Sequence, residues 1–296
     1  MGRPNVGKST LLNRLVGQKV AIVSDKPQTT RNRILAVMNP PGGQIVLFDT
    51  PGIHKPMHRM NERMVATAVA TLGHVDLVVW LVDLGESFGP GDRYVSEVLK
   101  KSGRPVLLAI NKIDTAPKPS ILPVIAGFKD VMPFVEIIPI SALKGENVEV
   151  LVERILARLP EGPPLYPEDF LTDLPERFFV AEMVREQILR MTRQEIPYSS
   201  GVVIESFKEE EGLVRIHAAV LVERDSQKAI VIGKGGSMMK AIGTAARKEI
   251  EAFLGAKVFL GLFVKVREKW REDARVLDEL GVADQRDGTH ARSRNG

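Results

Sequence analysis

Along the first half of the chain, short apolar runs alternate with amphipathic stretches. Residues 45–48, 77–82, 106–110 and 137–140 are rich in β-branched side chains and show little polar alternation, the pattern of strands buried on both faces. Between them, residues 57–72, 92–101 and 147–159 repeat apolar positions at helical spacing. Such alternation predicts an α/β domain over residues 1–160, with a mainly parallel sheet covered by helices on both faces. The second half predicts a helix over 176–191, strands over 201–207 and 213–222, a long helix over 237–253, a strand over 257–266 and a last helix over 268–280. That succession reads as a separate α+β module over residues 176–281. Apolar periodicity stops after Gly281, so residues 282–296 read as a disordered tail. No internal repeat is visible.

Residues 161–175 join the halves. They hold four acidic and no basic side chains, together with Pro163, Pro164, Pro167 and Pro175. Proline removes backbone donors and biases its neighbours to extended conformations, so this stretch reads as an inter-domain linker. The total of 296 residues also fits two domains. A hydrophobic fraction of 44% and a charged fraction of 26% exclude wholesale disorder. No run is long enough to span a membrane or to act as a signal peptide. With no cysteine, disulfides, thiolate zinc sites and cysteine nucleophiles are excluded, and a reducing, cytoplasmic setting fits. The net charge of +4 is too small to announce a nucleic-acid partner. It divides unevenly, however, with 20 basic and 14 acidic residues up to Pro160 and 21 against 23 after it.

Candidate chemistry begins at the first residues. Gly2, Arg3, Pro4, Asn5, Val6, Gly7, Lys8 and Ser9 match the phosphate-loop pattern of Gly, four residues, then Gly-Lys-Ser. Glycine lets the backbone turn so that successive N–H groups point at phosphate oxygens, Lys8 adds a point charge, and the Ser9 hydroxyl can ligate Mg²⁺. The helix that starts near Thr10 would present its positive end to the same anion. An ordinary glycine turn before a helix is the alternative, and three further elements weigh against it. Asp49, Thr50, Pro51 and Gly52 follow an apolar run, which sets the carboxylate at a strand's C-terminal end, where α/β sheets place ligand groups. Asp49 can hold the metal through water, and the Gly52 N–H can sense the γ-phosphate. Asn111, Lys112 and Asp114 follow the next run; a carboxylate there accepts two N–H bonds from guanine that adenine cannot offer, which selects GTP over ATP. Ser141, Ala142 and Leu143 end the fourth run, where a backbone N–H can reach guanine O6.

This constellation resembles the translation-factor-like GTPases. The resemblance implies that Gln28, Thr29, Thr30 and Arg31 form a switch segment, with Thr30 closing over Mg²⁺ as a third metal-site residue beside Ser9 and Asp49. Many relatives carry a glutamine after the Asp-x-x-Gly element to orient the attacking water. Here that position is Ile53, so hydrolysis is expected to rest on positioning by Lys8, Thr30 and Gly52. Asn5 inside the phosphate loop implies potassium activation by resemblance. His54 is expected to be a solvent-exposed loop residue with no catalytic duty.

In the second half, Gly233, Lys234, Gly235 and Gly236 form a Gly-x-x-Gly loop between helices. This is the KH-domain device that clamps about four nucleotides by their backbone. Between Ser226 and Lys248 there are five bases (Lys228, Lys234, Lys240, Arg247 and Lys248) and no acid. Ile232 precedes the loop and completes the candidate RNA-binding set. The order of strands around the loop matches the prokaryotic, type II variant of the KH fold.

A G domain joined through a Pro-rich linker to such a module resembles the Era-like family of bacterial GTPases over nearly the whole chain. The residues that carry this resemblance include the phosphate loop, 27–33, 49–56, 111–114, 166–169 and 223–236. It implies a slow, monomeric GTPase using GTP/GDP and Mg²⁺. It further implies that the KH domain binds small-subunit (16S) ribosomal RNA near its 3′ end, that the protein assists 30S subunit assembly, and that it associates peripherally with the inner membrane. The chain departs from the family at its start, because Gly2 follows Met1 directly and the apolar strand that should run into the phosphate loop is missing. Two readings follow. Either translation begins upstream, or the G domain is compromised and the chain serves as an RNA-binding assembly scaffold.

Overall fold

Each apolar run expected to be a strand forms one, and hydrogen-bond pairing sorts the strands into three sheets. The computed structural model describes residues 1–282. The first half contains helix α1 (Lys8–Val16), strands β1 (Ile34–Met38) and β2 (Ile45–Asp49), helix α2 (Arg59–Thr71), strand β3 (Val78–Asp83), helix α3 (Pro90–Ser102), strand β4 (Val106–Asn111), helix α4 (Ile121–Phe128), strand β5 (Glu136–Pro139) and helix α5 (Val148–Leu156). Strands β3, β4 and β5 are parallel neighbours, while β1 and β2 form an antiparallel hairpin. Every residue of β4 is buried, as a central strand covered by helices requires. Strand β1 and helix α4 were not anticipated. The first hides behind the polar switch segment, and the second carries Pro123 and lacks a polar face.

Strands β2 and β3 do not pair directly. Met1 and Gly2 join β3 to the loop after β2: Met1 N donates to the Val79 carbonyl at 2.9 Å, Leu81 N donates to the Met1 carbonyl at 3.0 Å, and Ile53 N donates to the Gly2 carbonyl at 3.1 Å. The two residues therefore satisfy the Val79 carbonyl and the Leu81 N–H of β3, although the apolar strand expected before the phosphate loop is absent among the described residues. A cavity of about 80 Å³ lies alongside, lined by Leu11, Leu15, Leu47, Val79, Leu81 and Ile155 together with Lys8 and Asp49, among others.

The second half contains α6 (Glu176–Met191), a short α7 (Ile196–Ser199), β6 (Gly201–Glu210), β7 (Leu213–Val222), α8 (Asp225–Ile232), α9 (Ser237–Leu254), β8 (Lys257–Val266) and α10 (Ala274–Glu279). The sheet order is β6-β7-β8, with β7 antiparallel to β6 and parallel to β8. Helices α6 and α9 cover one face, burying Val214, Ile216, Ala218, Val220 and Val222 against Val180, Val184, Ile188, Ile242, Ala246 and Ile250. The single last helix expected over 268–280 is instead a 3₁₀ turn at Trp270–Glu272 followed by α10, because Asp273 caps the second helix by accepting from Arg275 N. Val282 is buried, whereas the remainder of the expected tail lies outside the described residues.

The linker is not a free tether. Leu171's carbonyl accepts from Val37 N at 2.9 Å, the Asn39 side chain donates to the Glu168 carbonyl, and Gln44 bonds both the N–H and the carbonyl of Tyr166. Tyr166 also stacks on Phe170, with ring centroids 4.6 Å apart. The other face of the second sheet is covered from the first half. Met60 and Met64 of α2 pack with Val203, Ala219, Leu221, Trp270, Val276, Leu277 and Val282 in one buried cluster. Both methionines are fully buried. Replacing Met64 by alanine leaves a cavity that the rigid sheet cannot collapse to fill, so Met64→Ala is expected to cost about 2–5 kcal/mol. A urea titration should show this as a lowered midpoint; an unchanged midpoint would mean that α2 and the sheet are not packed as described.

Candidate functional site

Turns after strand ends bring the first-half motifs to one place. The phosphate loop precedes α1 with Gly2, Asn5 and Gly7 at φ of 141°, 66° and 99°, conformations that favour glycine and that asparagine tolerates. Close approach reinforces the requirement. A side chain on Gly7 would meet the Asn111 amide nitrogen at 2.2 Å, and one on Gly52 would meet Pro4 N at 2.7 Å. Lys8 Nζ lies back over the loop and donates to the Arg3 carbonyl at 2.8 Å. Desolvation pushes its ammonium down to about 8, partly offset by the Asp49 carboxylate.

Three oxygens converge beside Lys8. Ser9 Oγ donates to Asp49 Oδ2 at 2.7 Å, lies 2.7 Å from Thr30 Oγ1, and Thr30 Oγ1 reaches the same carboxylate at 3.3 Å. All three residues are buried. A set made only of hydroxyl and carboxylate oxygens suits a hard cation such as Mg²⁺ rather than a soft metal. Thr29 turns elsewhere, its hydroxyl donating to the Lys26 carbonyl at 2.6 Å.

The next motifs are tied to the same loop. The Asn111 side chain donates to the Val6 carbonyl at 2.8 Å and accepts from Ala142 N at 2.9 Å, so one amide spans three loops. Ser141 Oγ donates to Asp114 Oδ1 at 2.5 Å, leaving the other carboxylate oxygen for a ligand. Lys112, at φ 67°, donates to Asp83 Oδ2 at 2.5 Å. Arg14 braces the carbonyls of Ala142 and Leu143 from α1. A cleft of about 460 Å³ results, lined by Pro4, Asn5, Gly7, Lys8, Ser9, Thr10, Thr30, Gly52, Lys112, Asp114 and Leu143 among others. Of the motif residues, Val6, Ile53, Thr50 and Ala142 are buried in its walls rather than facing it. The sequence reading missed Asp83 and Arg14. Asp83 was findable, since it ends a strand at the level of Asn111, its register partner; Arg14 carries no local signal.

Two expectations about the loop after Gly52 meet different outcomes. Ile53 is buried in the core with Trp80 and Leu84. His54 is not solvent-exposed: it is half-buried, with Nδ1 donating to the Gly52 carbonyl at 2.8 Å and Nε2 enclosed without a partner. The carbonyl left free by the turn at Gly52 draws the ring inward. Asn5 points the other way, donating its side-chain N–H to the Asp25 carbonyl at 2.5 Å, which joins the phosphate loop to the segment before Thr30.

In the second half the Gly-x-x-Gly loop lies between α8 and α9. Gly233, Gly235 and Gly236 have φ of 73°, 58° and 79°, and a side chain on Gly233 would strike Met238 at 2.7 Å. Gln227 fixes the start of α8 by accepting from Glu223 N and Arg224 N. Lys234, Gly235, Lys240 and Arg247 are exposed, Lys228 and Gly236 are half-buried, and Ile232 is half-buried against the core. The loop therefore offers N–H groups at the start of α9 and a cationic rim, which is what a sugar–phosphate backbone requires.

Comparison with known proteins agrees with both sites. Residues 1–112 match the family described as 50S ribosome-binding GTPase, and residues 195–271 match the KH domain family. The chain is 54% identical over 283 residues to the GTPase Era of Geobacter metallireducens, covering 95% of each chain. A crystal structure of a point variant of Aquifex aeolicus Era bound to GDP·AlF₄⁻ superposes with a TM-score of 0.92 at 42% identity, covering 96% of this chain and 97% of that one. Era in complex with MgGDPNP and nucleotides 1506–1542 of 16S ribosomal RNA gives the same score at 43% identity and the same coverage.

Lys8 supplies a pH test. Its ammonium, lowered to about 8 without ligand, returns to the charged form beside a phosphate, so binding takes up a proton above that pH. Affinity for GDP is expected to hold between pH 6 and 7 and to fall about tenfold by pH 9. Calorimetry across this range checks it, and a flat profile would show that Lys8 stays charged throughout.

Proposed function

The chain belongs to the Era family of GTPases, and on that premise we propose that it is a GTP-hydrolysing switch whose nucleotide state governs binding to small-subunit ribosomal RNA. It binds guanine nucleotide with Mg²⁺ and hydrolyses GTP to GDP and phosphate. Through its KH domain it binds 16S ribosomal RNA near the 3′ end and assists 30S subunit assembly. The observation that carries this reading is that Ser9 and Thr30 line the same cleft as Asn111 and Asp114, with Asp49 bonded to both hydroxyls from behind. The division we propose is a G domain over 1–160, a linker over 161–175 and a KH domain over 176–281. Among the described residues no helix is long and apolar enough to cross a membrane. The chain is taken to act as a single copy in the cytoplasm, with peripheral association at the inner membrane.

The chemistry we assign follows from the residues. Backbone N–H groups from Asn5 to Thr10 and the Lys8 ammonium hold the β- and γ-phosphates. Ser9 and Thr30, with Asp49 behind them, would hold Mg²⁺, which would supply charge neutralisation at the phosphates. Asp114 reads the guanine N–H groups while Ser141 fixes its orientation, and Leu143, held in the cleft wall next to Ala142, faces guanine O6. Water attacks the γ-phosphorus in line as the bond to the β–γ bridging oxygen breaks. Ile53 is apolar and buried, so it takes no part in proton transfer. Catalysis then rests on Lys8, the Gly52 N–H and the order imposed on Thr30. Asn5, exposed and bonded to the Asp25 carbonyl, is the residue we assign to a monovalent cation, which would add positive charge beside the phosphates. Lys228, Ile232, Gly233, Lys234, Gly235, Gly236, Lys240 and Arg247 form the RNA contact.

Two outcomes are expected. GTP turnover in KCl exceeds turnover in NaCl at equal ionic strength, and Asn5→Ala removes the difference; equal rates for the native chain would contradict the potassium role. Lys234→Asp combined with Gly235→Asp replaces a cation by two anions at the loop while keeping residues that tolerate its backbone. Single-stranded RNA binding should weaken about tenfold or more as phosphate contacts are lost, with GTP turnover in the absence of RNA unchanged. Gel-shift titration against an oligonucleotide from the 16S 3′ end measures the first effect and phosphate release the second.

A further inference from the structure

The switch segment around Thr30 is gripped on both sides by the second half of the chain. On one side, Arg185 of α6 donates from Nη2 to the Thr29 carbonyl. Its guanidinium is held flat by Glu182, which accepts from Nε at 2.7 Å and from Nη2 at 2.6 Å, while Nη1 is enclosed without a partner. On the other side, Arg31 reaches into the KH domain. It donates from Nη1 to the Ser200 carbonyl at 2.8 Å and from Nη2 to the Pro197 carbonyl at 3.4 Å, and it lies 5.8 Å from the centre of the Trp270 ring. One residue further, the Asn32 side chain donates to the Leu280 carbonyl at 3.2 Å. Arg31, Arg185 and Trp270 are all buried. Thr30 alone in this stretch turns back toward Ser9 and Asp49.

Residues 17–33 form no helix or strand, and Gln28 adopts a φ of 63°. Within it the Thr29 hydroxyl bonds the Lys26 carbonyl, and the Thr30 hydroxyl itself meets Ser9 and Asp49. The residues directly before and after Thr30 are held by the KH domain and the C-terminal turn. Burial above all, and then the charge of Arg185 and of Arg271, brings the Arg31 guanidinium down to about 9, with Glu182 acting against them. Glu182 and the carbonyls of 197 and 200 face the two guanidiniums in the docked arrangement of the two domains.

We propose that Arg185, a residue of the RNA-binding module, is a positioning residue of the GTPase site, acting with Arg31 to hold Thr30 where its hydroxyl joins Ser9 and Asp49. The proposal rests on the reading of Thr30 as a metal-site residue. By linkage, whatever favours the docked arrangement favours the Mg²⁺–triphosphate state, and the converse holds to the same extent.

The test measures the Mg²⁺ dependence of GTP turnover and the preference for GDPNP over GDP in the full chain. In Arg185→Met the Mg²⁺ concentration for half-maximal turnover is expected to rise about 10- to 100-fold, the range for losing a residue that orients a metal ligand. Preference for GDPNP should fall in proportion, with GDP affinity measured in chelator unchanged. Glu182→Gln, which loosens the guanidinium without removing it, should move both quantities in the same direction by less. That variant and Asn32→Ala carry the test if Arg185→Met does not fold. Thr30→Ala separates the two layers of inference. If it raises the Mg²⁺ requirement while Arg185→Met and Glu182→Gln leave both quantities at native values, the positioning role is overturned. If Thr30→Ala itself has no effect, the metal-site reading fails instead.

Discussion

Helix α2 is the common wall of two hydrophobic cores, and the arrangement of the molecule depends on it. Ala68, on one face, belongs to the G-domain core with Leu72, Val78, Trp80 and Ile110. Met60 and Met64, on another, belong to the cluster under the KH sheet. A helix buried on two sides cannot shift against either partner without opening a cavity, and interiors at crystal-like density respond to this by changing between discrete packings rather than by gliding. Its N-terminus follows Gly52 and Ile53 within a few residues. The backbone at Gly52 is thus connected through α2 to apolar contacts with the KH sheet. Arg63 adds polar bonds at the same seam, donating to Asp278 at 2.6 Å and to the Val282 carbonyl.

The nucleotide cleft is built differently, from loops held by a few buried polar side chains. Asn111 spans the phosphate loop and the loop that begins at Ser141, and Ser141 in turn orients Asp114. Buried carboxamides and hydroxyls of this kind are costly unless every bond is made, and that cost is what makes the geometry specific. Apolar packing sets the distance between domains, while polar satisfaction sets the angles within the site.

Much of this was legible in the sequence because the chemistry is local. A phosphate loop needs glycine where φ is positive and a lysine and serine at fixed offsets, so eight consecutive residues announce it. Asp49 and Asn111 were readable because apolar runs mark the strand ends they occupy. The inter-domain contacts were not. Arg185 meets Thr29 across 156 positions, and Glu186 meets Lys19 across 167, with no periodicity to connect them. For the second pair the charge imbalance between the halves is a trace; for the first there is none. The basic excess before Pro160 and the acidic excess after it contribute to complementary surfaces, seen where Lys19 meets Glu186 and Glu249 and where Arg63 meets Asp278. His54 was misread because an isolated loop histidine gives no hint that a neighbouring carbonyl will turn it inward.

The linker lying along β1 has a bearing on how the molecule behaves in a crowded solution. A two-stranded hairpin ordinarily presents a row of unpaired N–H and carbonyl groups along its outer edge, a template for strands from other molecules. Here part of that row is occupied from within: Leu171 takes the N–H of Val37, and Tyr166 and Glu168 engage Gln44 and Asn39 beyond the strand. The same fifteen residues that connect the domains also seal the hairpin against recruitment. Proteolysis in the proline-rich stretch would then do more than separate two functional units, since it would leave the nucleotide-binding half with an adhesive edge.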